Sequence, residues 1–261
     1  MEKVKSYIEN WIKRYFEDSK AKYLIIGLSG GLDSSMVLKL VVNAVGSKKV
    51  IALILPETGI TLSTDIKDAK ELAKELGVKY KIMEINKIVK NFISVIPHLK
   101  KDKKSLANLR ARVRANILYS MANLKKGLVV GTTNKSEFYI GYFTKYGDGA
   151  ADIYPILDLY KTDVKKLAEY VNIPNKIINK KPSPGLWKGQ TAEGEIGLSY
   201  ELIDRILYYK IDYEKELSNE EIARILGIKV KDVEKIESMI KNTEHKRNFL
   251  KFPIIKDIYG R

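Results

Sequence analysis

Tyr23-Leu24-Ile25-Ile26-Gly27-Leu28-Ser29-Gly30-Gly31-Leu32-Asp33-Ser34-Ser35 decides the fold of this chain. An apolar run over residues 23–28 is cut by a Gly/Ser cluster, and apolar positions then return at helical spacing over 35–45. That reads as strand, glycine turn, helix. Glycines let a backbone adopt positive φ and come close to a ligand. The first N–H groups of the next helix, with its dipole, favour an anion, and open parallel sheets place ligands at such strand ends. The stretch is therefore a phosphate cradle on physical grounds. It lacks the Lys that follows the last Gly of a P-loop, and it lacks the dinucleotide glycine spacing. The ordinary alternative is a plain strand-to-helix turn, with Asp33 and Ser34 as favourable first-turn residues.

Working outward, residues 49–55, 78–84 and 128–131 read as further strands. Helices are expected over 2–17, 63–76, 86–96 and 105–124, with Ser63 as an N-cap and Gly77 as a stop. Strands alternating with helices imply a parallel sheet covered on both faces. The expectation is an α/β chain: a Rossmann-like open parallel sheet, helices on both faces, and a C-terminal helical extension. Helices over 162–171, 199–210, 218–226 and 230–243 form that extension. We expect one domain over 1–261, with a sheet core and N-terminal helix in 1–160 and a mostly helical part in 161–261. The N-terminal helix has an apolar face that suits either its own subunit or a partner.

Composition bounds the chemistry. The 261 residues contain no cysteine and two histidines, His98 and His245. Disulfides, thiolate metal sites, Cys nucleophiles and multi-His metal sites are excluded. No apolar run approaches the ~20 residues of a bilayer span, and no signal core follows Met1. A cytoplasmic protein without a membrane or targeting segment is expected. The formal net charge is +15, from 47 Lys plus Arg against 32 Asp plus Glu. It is clustered: net +10 over 85–126, +4 over 176–190 and +4 over 241–261. Clustering of this kind favours an anionic partner over a uniformly solvated lysine coat.

Two more constellations stand out. In Asn108-Leu109-Arg110-Ala111-Arg112-Val113-Arg114 the guanidinium forks suit phosphate or carboxylate. Arg112 and Arg114 cannot share one helix face, so at most one points into a site. Gly131-Thr132-Thr133-Asn134-Lys135-Ser136-Glu137 follows the fourth strand. Asn134 and Glu137 have capping-box spacing. Glu137 is equally a candidate Mg²⁺ ligand beside Asp33, since Mg²⁺ takes one or two carboxylates plus phosphate oxygens. The Gly/Asp-rich stretch 141–155 suits a binding loop. Residues 141–152 and 181–195 are expected to order on binding.

The Ser29–Ser34 motif resembles the pyrophosphate loop of the N-type ATP pyrophosphatases. The remaining motifs extend the likeness, nearly end to end, to the ammonia-dependent NAD synthetases. They are residues 108–114, 131–163, 181–190 with Ser183, Leu198-Ser199-Tyr200, and Thr243-Glu244-His245-Lys246-Arg247. This resemblance implies that Gly27, Leu28, Ser29, Gly30, Gly31, Leu32, Asp33, Ser34, Thr132, Lys161 and Ser183 contact ATP. It implies that Asp33 and Glu137 hold Mg²⁺. It also implies that Arg112, Lys145, Asp152, His245 and Lys246 contact deamido-NAD. Asp33, Lys161 and Asp152 are the expected catalytic residues, with Asp152 steering ammonium by charge. ATP would be co-substrate, ammonia the nitrogen donor, and the assembly a homodimer. A separate glutaminase partner stays open. Ser183 stands where the family often has Thr.

Two other readings remain at this point. One is another adenylating member of the superfamily, such as a GMP synthetase subunit. The other is a helix-turn-helix over 220–236, where Ala223, Gly227 and Val233 have the usual spacing. Its second helix carries Lys231, Asp232, Glu234, Lys235 and Glu237, a poor base-reading set, so an αα-turn is the expectation and nucleic acid is not an expected partner.

Overall fold

A computed structural model describes residues 1–248 and 250–255. The end of the basic stretch 241–261, including Arg261, lies outside the described residues. Four strands, β1 (Tyr23–Gly27), β2 (Val50–Ile54), β3 (Lys79–Ile82) and β4 (Gly127–Val130), form an all-parallel sheet in the order β3-β2-β1-β4. The sheet is open, and β1 is the strand from which the chain builds in both directions. The crevice between the carboxyl ends of β1 and β4 is thus the topological switch point, where ligands of such sheets bind.

The helices are α1 (Glu2–Asp18), α2 (Leu32–Val45), α3 (Ser63–Glu75), α4 (Asn86–Val95), α5 (Lys103–Lys125), α6 (Lys135–Ile140), α7 (Lys161–Tyr170), α8 (Asn175–Ile178), α9 (Ala192–Ile196), α10 (Tyr200–Leu207), α11 (Asn219–Leu226), α12 (Val230–Asn242) and α13 (Glu244–Arg247). Alternation along β1 sorts them into layers. Leu24 and Ile26 face a core with Ile8, Ile12, Met36, Leu40, Leu72, Val164 and Ile177, from α1, α2, α3, α7 and α8. Ile25 faces the opposite core with Leu53 of β2, Val89 of α4, and Val113 and Met121 of α5. Both faces of β1 are buried, so it reads as one continuous apolar run. The N-terminal helix packs on α2 of its own chain, with Ile12 fully buried. Truncating Ile12 to Ala would cost about 2–5 kcal/mol.

A third core holds no strand. Ile140, Tyr200, Ile203, Leu207, Ile222, Leu226, Val233 and Ile236 bring together α6, α10, α11 and α12. The αα-turn expectation holds here. Gly227 ends α11 at φ +66, and Ala223 and Val233 are buried in this core. This core draws on both sides of residue 161 in the chain: α6 enters it from before, while α7 and α8 pack in the sheet's own layer.

Local differences have local causes. The fifth helix starts at Lys103, before the expected 105, because Asp102 accepts from the N–H groups of Lys104 and Ser105 at 2.9 and 3.1 Å. Ser63 is not an N-cap: Leu62 holds that position and no side chain caps α3. The third strand is mostly exposed, an edge strand guarded by Lys79 and Lys81. Among the described residues no helix is long and apolar enough to cross a membrane.

Candidate active site

The loop leaving β1 is stiffened from within. Ser29 N–H donates to Ser34 Oγ at 3.2 Å, the two hydroxyls meet at 2.9 Å, and Gly31 N–H donates to Ser29 Oγ at 3.2 Å. Helix α2 starts with Gly31 as its N-cap and has no side-chain cap. Its first N–H groups therefore lack the usual protein acceptor, which leaves the cradle set for an anion.

The loop leaving β4 meets it across the crevice. Asn134 caps α6 in a full capping box, accepting from Glu137 N–H at 2.9 Å while Glu137 Oε2 accepts from Asn134 N–H at 3.4 Å. The same Asn134 side chain donates to Asp33 Oδ1 at 3.1 Å. Lys161, at the start of α7, reaches in between: its ammonium pairs with Asp33 Oδ2 and lies 3.9 Å from Glu137 Oε1. One oxygen of Glu137 thus serves the capping box while the other faces the Lys161 ammonium. Burial, reinforced by the Asp33 charge, pushes the Glu137 carboxyl up to about 8. Burial opposes the charge of Lys161, but Asp33 and Glu137 outweigh it and hold its pKa above the ordinary lysine value.

Lys161 is aimed by partners that the sequence reading missed. Its backbone N–H donates to Ser136 Oγ at 2.9 Å, and Ser136 Oγ donates to Asp204. Asp204, from α10, also accepts Thr162 N–H at 2.8 Å, so it caps α7 from another helix. The available signal was an Asp at a buried position of the amphipathic segment 200–207. Asn134, the link between the two loops, was read only as a cap.

Other site candidates are held by the protein itself. The Arg112 Nε donates to Lys145 O at 3.2 Å, and Thr144 Oγ1 donates to Asn108 Oδ1 at 2.9 Å. Arg114 Nε donates to Leu55 O at 2.9 Å, so the two guanidinium groups do diverge. Arg110 forms a buried pair with Glu57 at 2.6 Å. The ammonium of Lys246 bridges the carbonyls of Gly141 and Phe143 at 2.6 and 2.7 Å. Arg247 adds Tyr139 O at 2.7 Å. Residues 141–152 are thereby tied to both α5 and the C-terminal segment, more firmly than their lack of periodicity suggests. A Cβ at Gly141, whose φ is +67, would meet Thr243 Cβ at 2.2 Å, so only Gly fits between them. Asp152 is exposed and accepts from Val129 N–H at 2.7 Å and Tyr119 OH at 3.3 Å. His245 and Ser183 are exposed, and Thr132 is half-buried in the loop after β4.

The basic stretches are not a pure excess. Lys176 and Lys180 pair with Asp65, Asp68 and Glu71, and Arg110 pairs with Glu57. Sequence counting missed these pairings because their acids lie in other segments.

Among the described residues no three His, Cys, Asp or Glu side chains are grouped to hold a metal. Asp33 and Glu137 nonetheless converge on one cationic group, the Lys161 ammonium. Two carboxylates completed by phosphate oxygens suit Mg²⁺.

A family model described as NAD synthase matches residues 4–249. The NH(3)-dependent NAD(+) synthetase of Hyperthermus butylicus is 46% identical over 241 residues, 92% of this chain and 86% of that one. Among solved structures, NMN synthetase from Francisella tularensis superposes with TM-score 0.82 at 32% identity, over 97% and 98% of the two chains. NH3-dependent NAD synthetase from Campylobacter jejuni, in complex with the nitrate ion, superposes with TM-score 0.77 at 31% identity, over 97% of each.

Proposed function

The chain belongs to the NAD synthase family, and from that premise we propose how its residues turn deamido-NAD, ATP and ammonia into NAD, AMP and pyrophosphate. The observation that carries the proposal is the convergence of Asp33, Glu137 and Lys161 at the mouth of an uncapped, glycine-rich helix start. A carboxylate is a poor electrophile for ammonia. An oxygen of the nicotinate carboxylate attacks the α-phosphorus of ATP, and pyrophosphate leaves. Ammonia then attacks the acyl carbon of the adenylate, AMP leaves, and the amide remains. The first step needs positioning and charge stabilisation rather than a nucleophilic side chain, in keeping with a chain without cysteine.

The backbone N–H groups of residues 27–34, with Thr132, Lys161 and Ser183, hold ATP. Lys161 exchanges Asp33 for the phosphate charge that develops in the transition state. Asp33 and Glu137 hold Mg²⁺, which offsets phosphate charge when bound. Arg112, Lys145, Asp152, His245 and Lys246 contact deamido-NAD, and the Asp152 carboxylate steers ammonium. Residues 1–160 and 161–261 work as one unit, in the cytoplasm, as a homodimer. The homodimer is supported by exposed apolar side chains on one outer face, Ile88 and Phe92 of α4 and Leu124 of α5. Sedimentation at several concentrations tests it.

The Francisella relative is named for a mononucleotide product, so a second reading is amidation of nicotinate mononucleotide. One assay separates the candidates. Pyrophosphate release is measured with ATP, Mg²⁺ and ammonium against deamido-NAD, nicotinate mononucleotide and XMP. Deamido-NAD gives the highest kcat/KM under the proposal; preference for either other acceptor overturns it. Replacing ammonium by glutamine abolishes the amide product.

A further inference from the structure

One peptide of the glycine loop is held from outside the loop. The Lys180 ammonium donates to Gly30 O at 2.8 Å. It is itself gripped by Asp65 Oδ1 at 2.7 Å and Asp68 Oδ2 at 2.6 Å, both on α3. Lys176 also pairs with Asp68, at 2.8 Å. Gly30 sits at φ +80, and a Cβ there would meet Asp65 O at 2.2 Å. The first turn of α3 therefore presses directly on the loop, with two carboxylates beside a cradle meant for a polyanion.

The two ends of a trans peptide unit point in opposite directions. At the Gly30–Gly31 peptide the carbonyl is fixed by Lys180, and the N–H is fixed by Ser29 Oγ. That sets the plane of the peptide leading into α2, and with it the aim of the uncapped N–H groups that follow. Lys180 also lies three residues before Ser183 in sequence, so it binds the segment carrying that hydroxyl to the loop.

We propose that Lys180 is a positioning residue for the ATP half-reaction: it fixes the Gly30 carbonyl and cancels the Asp65 and Asp68 charges, so that the loop accepts pyrophosphate without Lys180 touching it. The proposal rests on the reading of residues 27–34 as the pyrophosphate loop. Side-chain contacts, not motif spacing, reveal it: Lys180 lies far from the loop in sequence and precedes a segment with no regular periodicity.

The test is calorimetric titration of inorganic pyrophosphate with Mg²⁺ into the 261-residue chain, alongside steady-state kinetics. Lys180→Met weakens pyrophosphate binding about tenfold or more, the loss expected for a charged hydrogen bond. It raises KM for ATP by a similar factor and leaves KM for deamido-NAD within about twofold. Lys180→Arg, which keeps the charge and the donors, restores pyrophosphate binding to within about threefold. Lys180→Gln keeps a donor but no charge and falls between; it serves as the second variant should Lys180→Met not fold. A merely structural lysine would lower the melting temperature without separating the two KM values. Parental pyrophosphate affinity in folded Lys180→Met or Lys180→Gln overturns the inference while leaving the loop reading intact. A parent chain that binds no pyrophosphate overturns both.

Discussion

The two halves of the cleft are built by different means. On the β1 side, a short contiguous segment does nearly everything: Gly, Ser and backbone N–H groups, cross-braced by Ser29 and Ser34, at a strand end fixed on both faces by the sheet cores. On the other side, residues 138–152 take their shape from cations far away in sequence. Lys246 and Arg247 grip main-chain carbonyls at 139–143, and Arg112 grips that of Lys145. The first half is preorganised mainly by local geometry, with Lys180 holding one peptide from outside. In the second half, Arg112, Asp152 and Lys246, three of the side chains proposed to meet substrate, already hold protein partners, so contact with substrate there would exchange them.

That difference is open to attack, and the largest effect is expected on the preorganised side. Asp33→Asn removes a carboxylate shared by Lys161 and Asn134. A fall of about 10²–10³ in kcat is expected, the scale of losing one electrostatic group at a reacting centre. Steady-state pyrophosphate release measures it, and a change confined to KM would break the assignment.

Lys246→Ala probes the clamped side. It frees the Gly141 and Phe143 carbonyls. KM for deamido-NAD should rise about tenfold, as for loss of a charged hydrogen bond, with KM for ATP unmoved. Equal rises in both would mean that the halves are not separable. Asp152→Asn is gentler, since its amide oxygen still accepts Val129 N–H. Loss of the charge should raise KM for ammonium roughly two- to fivefold, the effect of one solvated charge at close range. Unchanged ammonium dependence would remove the steering role.

Glu237→Gln, in the strandless helical core, sharpens the contrast from outside the cleft. Hydrogen bonds from Asn219 and Lys241, with the Lys210 charge, draw the Glu237 carboxyl down to about 2. A carboxyl lowered on folding stabilises at pH above its unfolded value, and that stabilisation is lost as pH falls toward 2. The variant should melt about 1–3 °C lower at pH 7, converge with the parent near pH 2, and keep its kinetics. Any change in either KM would tie this core to the cleft.

The same division explains what could be read in advance. The strand–glycine–helix start, the parallel sheet and the capping box at Asn134 are local patterns, set by periodicity and by the chemistry of one turn. That Asp33 and Glu137 come together, here at the Lys161 ammonium, was expected from the order of the motifs rather than from any local pattern. The partners that aim those groups were not legible. Asp204 reaches α7 from α10, and Lys180 reaches Gly30 from just beyond α8. Contacts of high sequence separation leave no spacing signature. Charge counting failed for the same reason: the Lys176 and Lys180 charges are matched by acids of α3 that lie in a different stretch of sequence.

The central claim is that residues 27–34 with Asp33, Glu137 and Lys161 carry out adenylation of deamido-NAD before ammonia takes part. Exchange of labelled pyrophosphate into ATP, measured without ammonia, tests it most directly. The account predicts exchange that requires deamido-NAD and Mg²⁺ and is lost in Asp33→Asn. Exchange that proceeds without deamido-NAD, or that appears only when ammonium is added, would contradict it.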